Sequence, residues 1–371
     1  MLTSKSTWSI ENGGRLRRRE GKRTATIRDV ARASGFSAST VSIVLNNAPL
    51  ARYIPLPTKG RIHKAAKTLG YRPNVFAQSL RSKRNHTVGV MVFDVTDPYC
   101  TPILRGLENT LYQASYLPIL TDAHNERSRF ERYLEMLLER RVEALIVLAN
   151  WLYLDINLLA DLEKPGVPTV IIGRELESTA ISSVTVDDEG GAYAALAHLY
   201  GLGHRKIGFV RGPKALSSAK NRWRGVQRFA RDANLELDPK LIVDLPDQQN
   251  PNLGVDDGCR MALELLSRKR PFTALMAFDD MTAFGAVRAL INSGVKVPAR
   301  CSVVGFDDVS PAALFVPSLT TVRQPLEAMG SAAVNIVVDA ITASADNRRF
   351  PAVHRKLASE LVSRESTRAL A

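Results

Sequence analysis

Acidic and aromatic residues directly follow several apolar runs in the C-terminal three quarters of the chain. The candidates for ligand binding at these positions are Asp97, Tyr99, Asp279 and Asp307, with Arg174 and Asp187 as weaker ones. Carboxylates accept hydrogen bonds, a guanidinium group donates them in a fork, and a tyrosine ring can stack on a sugar or a base. Ligands of parallel sheets bind beyond the carboxyl ends of the strands. These residues therefore predict a site for polyhydroxyl or amide groups.

The same acidic positions have a second interpretation, because Asp and Glu also cap the N-termini of helices. For Asp280 and Asp308 we prefer the cap. Asp279 and Asp307 stay candidates for the ligand site. An ionised carboxylate at position 279 only accepts hydrogen bonds, so the identity of the ligand stays open.

Apolar runs alternate with helical patterns from Thr87 onward. The runs are Val88–Phe93, Ala144–Leu148, Thr169–Ile172, Ile207–Val210, Ala274–Phe278 and Ser302–Phe306. Runs this apolar are typical of parallel strands that are buried on both faces, and helices between them indicate an α/β fold. Their number predicts two doubly wound parallel sheets.

The positive charge of the chain is concentrated at one end. Residues 1–86 contain 18 Lys and Arg against 3 Asp and Glu, whereas the rest of the chain contains 32 against 34. A basic segment joined to a nearly neutral one is the pattern of a nucleic-acid-binding module attached to another domain. A solvated basic tail would explain residues 15–23, but not the basic residues that continue to Arg84 through patterned helices.

Three short helices are predicted in this basic segment. Thr26 and Asp29 have the spacing of a capping box, so a helix starts at Ile27, and Gly35 ends it in a tight turn. Ser37 caps a second helix with Val41, Val44 and Leu45 on its buried face, and a third helix runs from about Thr58 to Leu69. Two helices joined by such a turn, with a third to complete the core, predict a helix-turn-helix.

Residues 74–84 form a short basic segment that follows Pro73 and contains Leu80. A helix this short is marginal on its own in water, because nucleation is costly. We expect it to fold only against another surface, for which DNA is a candidate.

The chain resembles the LacI/GalR family of transcriptional regulators. The resemblance rests on Thr26–Ala31, Ser37–Asn46 and Leu69–Asn74 and extends through nearly all of the chain after residue 23. It implies that the second helix enters the major groove, and that residues 74–84 are a hinge helix which wedges Leu80 into the minor groove. The DNA contacts that it implies are Thr26, Ser37, Ala38, Ser39, Thr40, Ser42, Ile43, Asn46, Tyr71, Asn74, Ala77 and Leu80.

Four positions depart from the family pattern, and two match it closely. Ala38, Ser39 and Ile43 stand where large polar readers are common, so the operator sequence is not carried over. The resemblance places an effector-holding arginine at Arg222 and an effector-contacting aspartate at Asp307. Many relatives have Asn at the position of Asp279.

The resemblance implies a two-lobed periplasmic-binding-protein-like core, whose lobes close around a ligand bound between them. The expected organisation is a basic arm (residues 1–23), a DNA-binding domain (24–71), a linker with the hinge helix (72–86), an effector and dimerisation domain (87–365) and a tail (366–371). We expect lobe 1 at about residues 87–202 and 319–345, and lobe 2 at about 203–318 and 346–365. The segment from His198 to Arg205 is expected to end a helix and to cross between the lobes.

Other classes of protein fit the sequence less well. The chain contains no nucleophile elbow, no phosphate-binding loop and no zinc-protease motif, so we expect neither catalysis, nor a cofactor, nor a metal. A freestanding sugar-binding protein would leave the basic helices unexplained. No apolar run approaches the length of a membrane helix, and the separated cysteines suit a reducing cytoplasm.

The expected mechanism couples the binding of an effector to the binding of an operator. A homodimer presents two heads to a pseudo-palindromic operator in double-stranded DNA, and a small effector changes the angle between the lobes. The effector regulates only if it binds the two forms with different affinity. Whether it releases DNA or promotes binding depends on that difference, which the sequence leaves open.

Selection of random duplex DNA on the purified protein tests the prediction that residues 24–86 bind DNA in a sequence-specific way. We expect an enriched inverted repeat that is lost on Leu80→Ala, because removal of the wedge raises the cost of bending the site. Retention without sequence preference at low salt, also in the presence of pooled metabolites, would contradict it.

Overall fold

The computed structural model describes residues 25–46, 48–71, 84–149, 162, 166–174, 181–246 and 254–370. The chain divides into two compact units, residues 1–84 and 85–371. The predicted basic arm and the hinge residues Asn74, Ala77 and Leu80 lie outside the described residues.

The N-terminal unit has a helical core. Its helices are α1 (Ile27–Ser34), α2 (Ala38–Leu45), a 3-10 helix (Pro49–Tyr53) and α3 (Leu56–Thr68). Thr26 and Asp29 form the predicted capping box, Gly35 ends α1 with φ +77°, and Ser37 caps α2. Val30, Val41, Val44, Ile62 and Ala66 form the buried core. The caps and the apolar spacing thus place the helices where the sequence predicts them.

The first lobe of the larger unit is built on a six-stranded parallel sheet in the order β11-β5-β4-β3-β1-β2. Its elements are β1 (Thr87–Val92), α4 (Cys100–Gln113), β2 (Leu117–Asp122), α5 (Arg127–Glu139), β3 (Ala144–Leu148), β4 (Thr169–Ile172), β5 (Ser182–Val186), α11 (Leu326–Ala345) and β11 (His354–Leu357). Val90 and Ile146 lie side by side in the sheet and pack under α4 and α11.

The second lobe has a six-stranded sheet in the order β12-β10-β9-β8-β6-β7, in which only β12 is antiparallel. Its elements are α6 (Asp188–Gly201), β6 (Ile207–Arg211), α7 (Ser217–Asp232), a 3-10 helix (Pro239–Leu241), β7 (Ile242–Asp244), α8 (Gly254–Ser267), β8 (Ala274–Ala277), α9 (Asp280–Asn292), β9 (Ser302–Asp307), α10 (Pro311–Leu314), β10 (Thr320–Arg323) and β12 (Glu360–Val362). The α/β fold with two sheets is confirmed, and the sheets are parallel as predicted except at β12.

The lobe boundaries differ from those expected from the sequence. Helix α6 was expected in lobe 1, but its Leu196 packs with Phe209 and Phe306 of the second sheet. Strand β10 also belongs to the second lobe because it pairs with β9, whereas β11 belongs to the first because it pairs with β5. The chain therefore crosses between the lobes near residues 187, 324 and 358, not near His204. Strands β10 and β11 are short and partly polar, so no apolar run marks them.

Helix α11 is long and apolar. It is 20 residues long with a mean hydropathy of 1.4, which by length and composition alone would allow it to cross a membrane. More than half of it is buried, and Met329, Val334 and Val337 pack against the first sheet. It is a core helix, because its apolar residues are buried within the first lobe.

Two histidines tie the end of the chain to the second lobe. His204 is buried, its Nδ1 lies 2.9 Å from the Thr273 hydroxyl, and its Nε2 lies 3.0 Å from the Ser302 hydroxyl and 3.1 Å from the Arg368 carbonyl oxygen. Burial lowers the pKa of both His204 and His198. The residues from 366 onward, expected to be a tail, are thus hydrogen-bonded into this lobe.

The buried histidine predicts a pH-dependent stability. Because the pKa of His204 is lower in the folded than in the unfolded chain, unfolding takes up a proton below about pH 6.5, and stability falls as the pH falls through that window. We expect His204→Gln to remove a pH dependence of up to about 1.4 kcal/mol per pH unit, measured by urea unfolding between about pH 7.5 and 5.5. His124→Gln, at an exposed site, is the matched control, and equal pH profiles for the two variants would contradict the assignment.

Candidate functional site

Helix α2 presents the predicted DNA-reading residues on one face. Val41 and Val44 are buried in the core of the unit, whereas Ser37, Ala38 and Ser39 are exposed. Exposure at the first turn leaves these side chains available to a ligand, as a recognition helix requires.

The hydroxyl groups of α2 are mostly paired within the helix. The Ser37 and Thr40 hydroxyls lie 2.8 Å apart, the Thr40 amide donates to Ser37 Oγ at 3.1 Å, and Asn46 Nδ2 donates to Ser42 Oγ at 3.1 Å. Ser39 has no hydrogen-bond partner among the described residues. It is therefore the polar side chain of this face with its hydrogen-bonding capacity still open, while Ile43 is half-buried.

The other predicted head residues have structural roles as well. The Thr26 hydroxyl donates to Asp29 Oδ2 at 2.7 Å, which fixes the start of α1. Tyr71 is half-buried against the core, and its amide donates to the Ala66 carbonyl oxygen at 2.9 Å to close the end of α3. Arg61, which no motif of the sequence marks, donates to the Ser34 carbonyl oxygen at 3.1 Å and holds the turn between α1 and α2.

Between the two lobes, Arg222 is the centre of a buried polar cleft. From α7, Nε donates to Asp188 Oδ1 at 2.8 Å, Nη1 to the Phe278 carbonyl oxygen at 2.6 Å, and Nη2 to Asp307 Oδ1 at 3.4 Å. The guanidinium carbon also lies 3.7 Å from the Phe306 ring centroid and 4.7 Å from that of Phe278. Two carboxylates and two rings thus hold the cation in one orientation.

A chain of hydrogen bonds crosses from the first lobe to this arginine. The Tyr99 hydroxyl, at the start of α4, donates to Gln324 Oε1 at 3.3 Å, and Gln324 Nε2 donates to Asp307 Oδ1 at 2.6 Å. Asp307 in turn accepts from Arg222. Gln324 lies where the chain passes from β10 to α11, so it joins polar groups of both lobes.

The electrostatics of the cleft are dominated by buried carboxylates. Burial raises the pKa of Asp307, Asp188 and Asp279, and Arg222 only partly offsets that rise. Burial alone would lower the pKa of Arg222, but Asp188 and Asp307 outweigh it, so that its pKa is raised. The cleft therefore holds a permanent cation within a surplus of acceptor oxygens.

The cleft collects most of the strong candidates from the sequence, together with residues that the sequence did not reveal. It is lined by Tyr99, Gly173, Thr185, Val186, Asp188, Ser217, Ser218, Asn221, Arg222, Phe278, Asp279, Asp307, Gln324 and Lys356. Asp188 directly follows the candidate Asp187. Its position just after strand β5 was the signal that could have revealed it. Gln324 had no signal because β10 itself was not predicted.

Three of the candidates, Asp97, Arg174 and Asp187, do not line the cleft. Asp97 Oδ1 accepts from the Tyr99 amide at 3.0 Å within its own turn, and Asp187 Oδ1 accepts from the Gly190 amide at 3.0 Å as the cap of α6. Arg174 follows the lining residue Gly173 and is partly buried, which lowers its pKa. Asp97 and Asp187 thus shape the elements that carry the cleft.

The predicted caps are wrong. Asp279, not Asp280, caps α9, because its Oδ1 accepts from the Thr282 amide at 2.7 Å. Asp308 caps no helix and pairs instead with Arg323 and Arg364. Helix α9 begins one residue earlier than a cap at Asp280 would require, so the two carboxylates have different roles.

Removing the central cation should destabilise the second lobe. Arg222→Met leaves Asp188 and Asp307 buried without their counter-charge, which costs about 3–5 kcal/mol in the free energy of unfolding. The loss should be smaller at low pH, because carboxyls with a raised pKa then take up protons. Arg127→Met, which breaks an exposed pair with Glu131, is the control and should cost less than about 1 kcal/mol in urea unfolding. Equal losses in the two variants would contradict the role of Arg222.

Comparison with known proteins gives matches over both units. Residues 26–74 match the profile described as bacterial regulatory proteins, lacI family, and residues 196–367 match a periplasmic binding protein-like domain. The repressor PurR of Aliivibrio salmonicida is 31% identical over 93% of this chain and 100% of its own. The regulator GalR of Escherichia coli is 32% identical over 92% of this chain and 95% of its own.

Solved structures give the same result. A lac repressor dimer bound to operator and the anti-inducer ONPF superposes with a TM-score of 0.78 at 26% identity, covering 94% of this chain and 100% of that one. The complex of the regulator CelR with cellobiose has a TM-score of 0.68 at 29% identity, covering 92% and 99%. The chain therefore belongs to the LacI family of bacterial regulatory proteins, as a DNA-binding transcriptional regulator with a periplasmic-binding-protein-like effector domain.

Proposed function

We propose that this protein is a homodimeric repressor whose affinity for a pseudo-palindromic operator is controlled by a neutral, hydroxyl-rich molecule bound between the lobes. The observation that carries the proposal is the buried Arg222, bound to Asp188 and Asp307 in the cleft. Its remaining N–H groups and the surrounding carboxylate oxygens offer donors and acceptors side by side, as the hydroxyl groups of a sugar require.

The charges of the cleft favour a neutral ligand over an anionic one. Asp188, Asp279 and Asp307 line it together with the cations Arg222 and Lys356. The binding of a phosphate or carboxylate would require a further negative charge to be buried beside three carboxyl groups, which is costly. Hydroxyl donors instead satisfy the acceptor oxygens. Sugars also appear among the relatives, since one solved regulator holds cellobiose and another holds ribose.

The effector contacts that we propose are Arg222, Asp307, Asp279 and Tyr99, with Asp188 and Gln324 added from the geometry. Tyr99 belongs to the first lobe and Arg222 to the second, so a ligand held by both would bridge the lobes. A change in the angle between the lobes is the means by which such a ligand would act on the linker.

For DNA we propose direct reading by α2. Ser39 would donate to or accept from base edges, and Ala38 and Ile43 would contact thymine methyl groups. Ser37, Thr40, Ser42 and Asn46 would contact the backbone or adjacent bases, with Thr26 and Tyr71 at the phosphates. Asn74, Ala77 and Leu80 stay predictions for the hinge.

The surface of the second lobe supports association with a second copy. Leu314 and Val316 are more than four-fifths exposed, and Ile291 is about half exposed. They lie beside Phe284 and Phe315, whose ring centroids are 4.7 Å apart. A two-fold contact would cover these apolar side chains and would present two heads to a two-fold operator.

We further propose that the protein binds its effector without transforming it and that it acts in the bacterial cytoplasm. Its relatives are transcriptional regulators. The carboxylates of Asp188 and Asp307 are bonded to Arg222, so neither has the separate environment of a catalytic acid or base.

Ligand-induced stabilisation tests the effector site. Cellobiose, D-ribose, D-galactose and hypoxanthine serve as probes in thermal unfolding, and operator affinity is measured with each by fluorescence anisotropy. We expect a sugar to stabilise the protein and to change operator affinity. Asp307→Asn should weaken that sugar's binding about 10- to 100-fold, because a charge-assisted hydrogen bond is lost.

Asp232→Asn, an exposed change in the second lobe, is the matched control. Stabilisation by hypoxanthine alone would contradict a sugar effector. Unchanged sugar binding in Asp307→Asn would contradict the assigned site, and a chemically altered sugar after incubation would contradict binding without catalysis.

A further inference from the structure

The end of β9 and the start of the loop after it contain two consecutive non-glycine residues with positive φ. Asp307 has φ +118° and Asp308 has φ +58°. Such conformations are unfavourable for residues with a Cβ atom and persist only when surrounding contacts impose them. The contacts on this loop therefore determine where the Asp307 carboxylate lies.

Asp280 supplies one set of these contacts from below the loop. Its carboxylate is fully buried, with Oδ2 accepting from the Val309 amide at 2.9 Å and Oδ1 accepting from the Thr321 hydroxyl at 2.5 Å. Gly305 leaves the space that this carboxylate occupies, since a Cβ atom there would collide with Oδ1. One side chain thus connects the start of α9, the loop and β10.

Asp308 holds the opposite side of the loop. Its Oδ1 accepts from Arg364 Nη2 at 2.6 Å, and its Oδ2 accepts from Arg323 Nε at 2.7 Å. Arg323 directly precedes Gln324, which donates to Asp307. The loop is therefore fixed to β10 by Asp308 and to α9 by Asp280, while Asp307 faces the cleft.

We propose that Asp280 is a positioning residue, which imposes the left-handed conformation of Asp307 and Asp308 and so presents the Asp307 carboxylate to the cleft without touching the effector. The link to effector binding rests on the proposed function. The conformation of the loop does not, and it can be measured without any ligand.

The protonation of Asp280 identifies a conservative replacement. Burial raises the pKa of this carboxyl to about 8, and the neighbouring Asp279 and Asp308 carboxylates contribute to the rise. An asparagine would be neutral, would accept from the Val309 amide through its oxygen, and would donate to Thr321 Oγ1 through its nitrogen. An alanine can do neither.

Hydrogen exchange on the full-length, ligand-free protein tests the proposal. We expect exchange of the amides from Gly305 to Ser310 to be at least about tenfold faster in Asp280→Ala and within about twofold of the parent in Asp280→Asn. Asp257→Ala removes another buried aspartate of the second lobe and controls for general destabilisation. Thr321→Val removes one of the two contacts and should lie between.

Binding of cellobiose and D-ribose separates positioning from a purely structural role. Asp280→Ala should lose affinity for the bound sugar to the same extent as Asp307→Asn, whereas Asp280→Asn keeps it, with operator affinity of the ligand-free protein unchanged in the two Asp280 variants. If neither sugar binds the parent, the effector proposal fails while the exchange result still decides the role of Asp280. Unchanged loop exchange in Asp280→Ala, equal effects of the alanine and asparagine variants, or a faster loop with intact sugar affinity would overturn the inference.

Discussion

The effector unit depends on one buried cation. Arg222 is enclosed by Asp188, Asp307 and two aromatic rings, and no exposed pair on the described surface has a comparable cost of disruption. A buried charge is tolerated only when its counter-charges and hydrogen bonds are complete. The second lobe must therefore keep α6, β8 and β9 in place around α7, because α7 carries the arginine and its partners lie in α6, directly after β8 and at the end of β9.

The need for a counter-charge beside Arg222 explains why the backbone next to this cation is strained. Asp307 reaches Arg222 from the end of β9 with its backbone in a left-handed conformation. The cost is offset by bonds from Gln324 to Asp307, from the loop to Asp280, and from two arginines to Asp308. The strain and its compensation lie within a few residues of each other, which is typical of a preorganised binding site.

The cleft also lies next to connections between the two lobes. The chain passes from one sheet to the other near residues 187, 324 and 358, so the cleft residues Asp188 and Gln324 lie at connections between the lobes. Gln324 is both a crossing residue and a partner of Asp307. A ligand that replaces one of its bonds would act directly on a hinge, which provides the differential interaction that regulation requires.

Much of the protein was determined by patterns local in sequence. The capping box at Thr26, the glycine turn at Gly35 and the cap at Ser37 involve hydrogen bonds within a few residues, and apolar runs report burial on both faces of a strand. The head, the α/β class and the positions after strands could therefore be read from the chain. The family resemblance added Arg222 and strengthened the case for Asp307, and the structure brings the two together in the cleft.

Only the tertiary structure decided which sheet each short strand joins and which carboxylate binds which partner. Strands β10 and β11 carry no apolar signature, so their pairing, and with it the place of Gln324, follows from the packing of the whole unit. Neighbouring acids such as Asp279 and Asp280 are alike in sequence, yet one caps a helix and the other holds a loop 29 residues away. The physical reason is that these roles arise from contacts between distant segments, which local hydrogen bonding and hydrophobic periodicity do not encode.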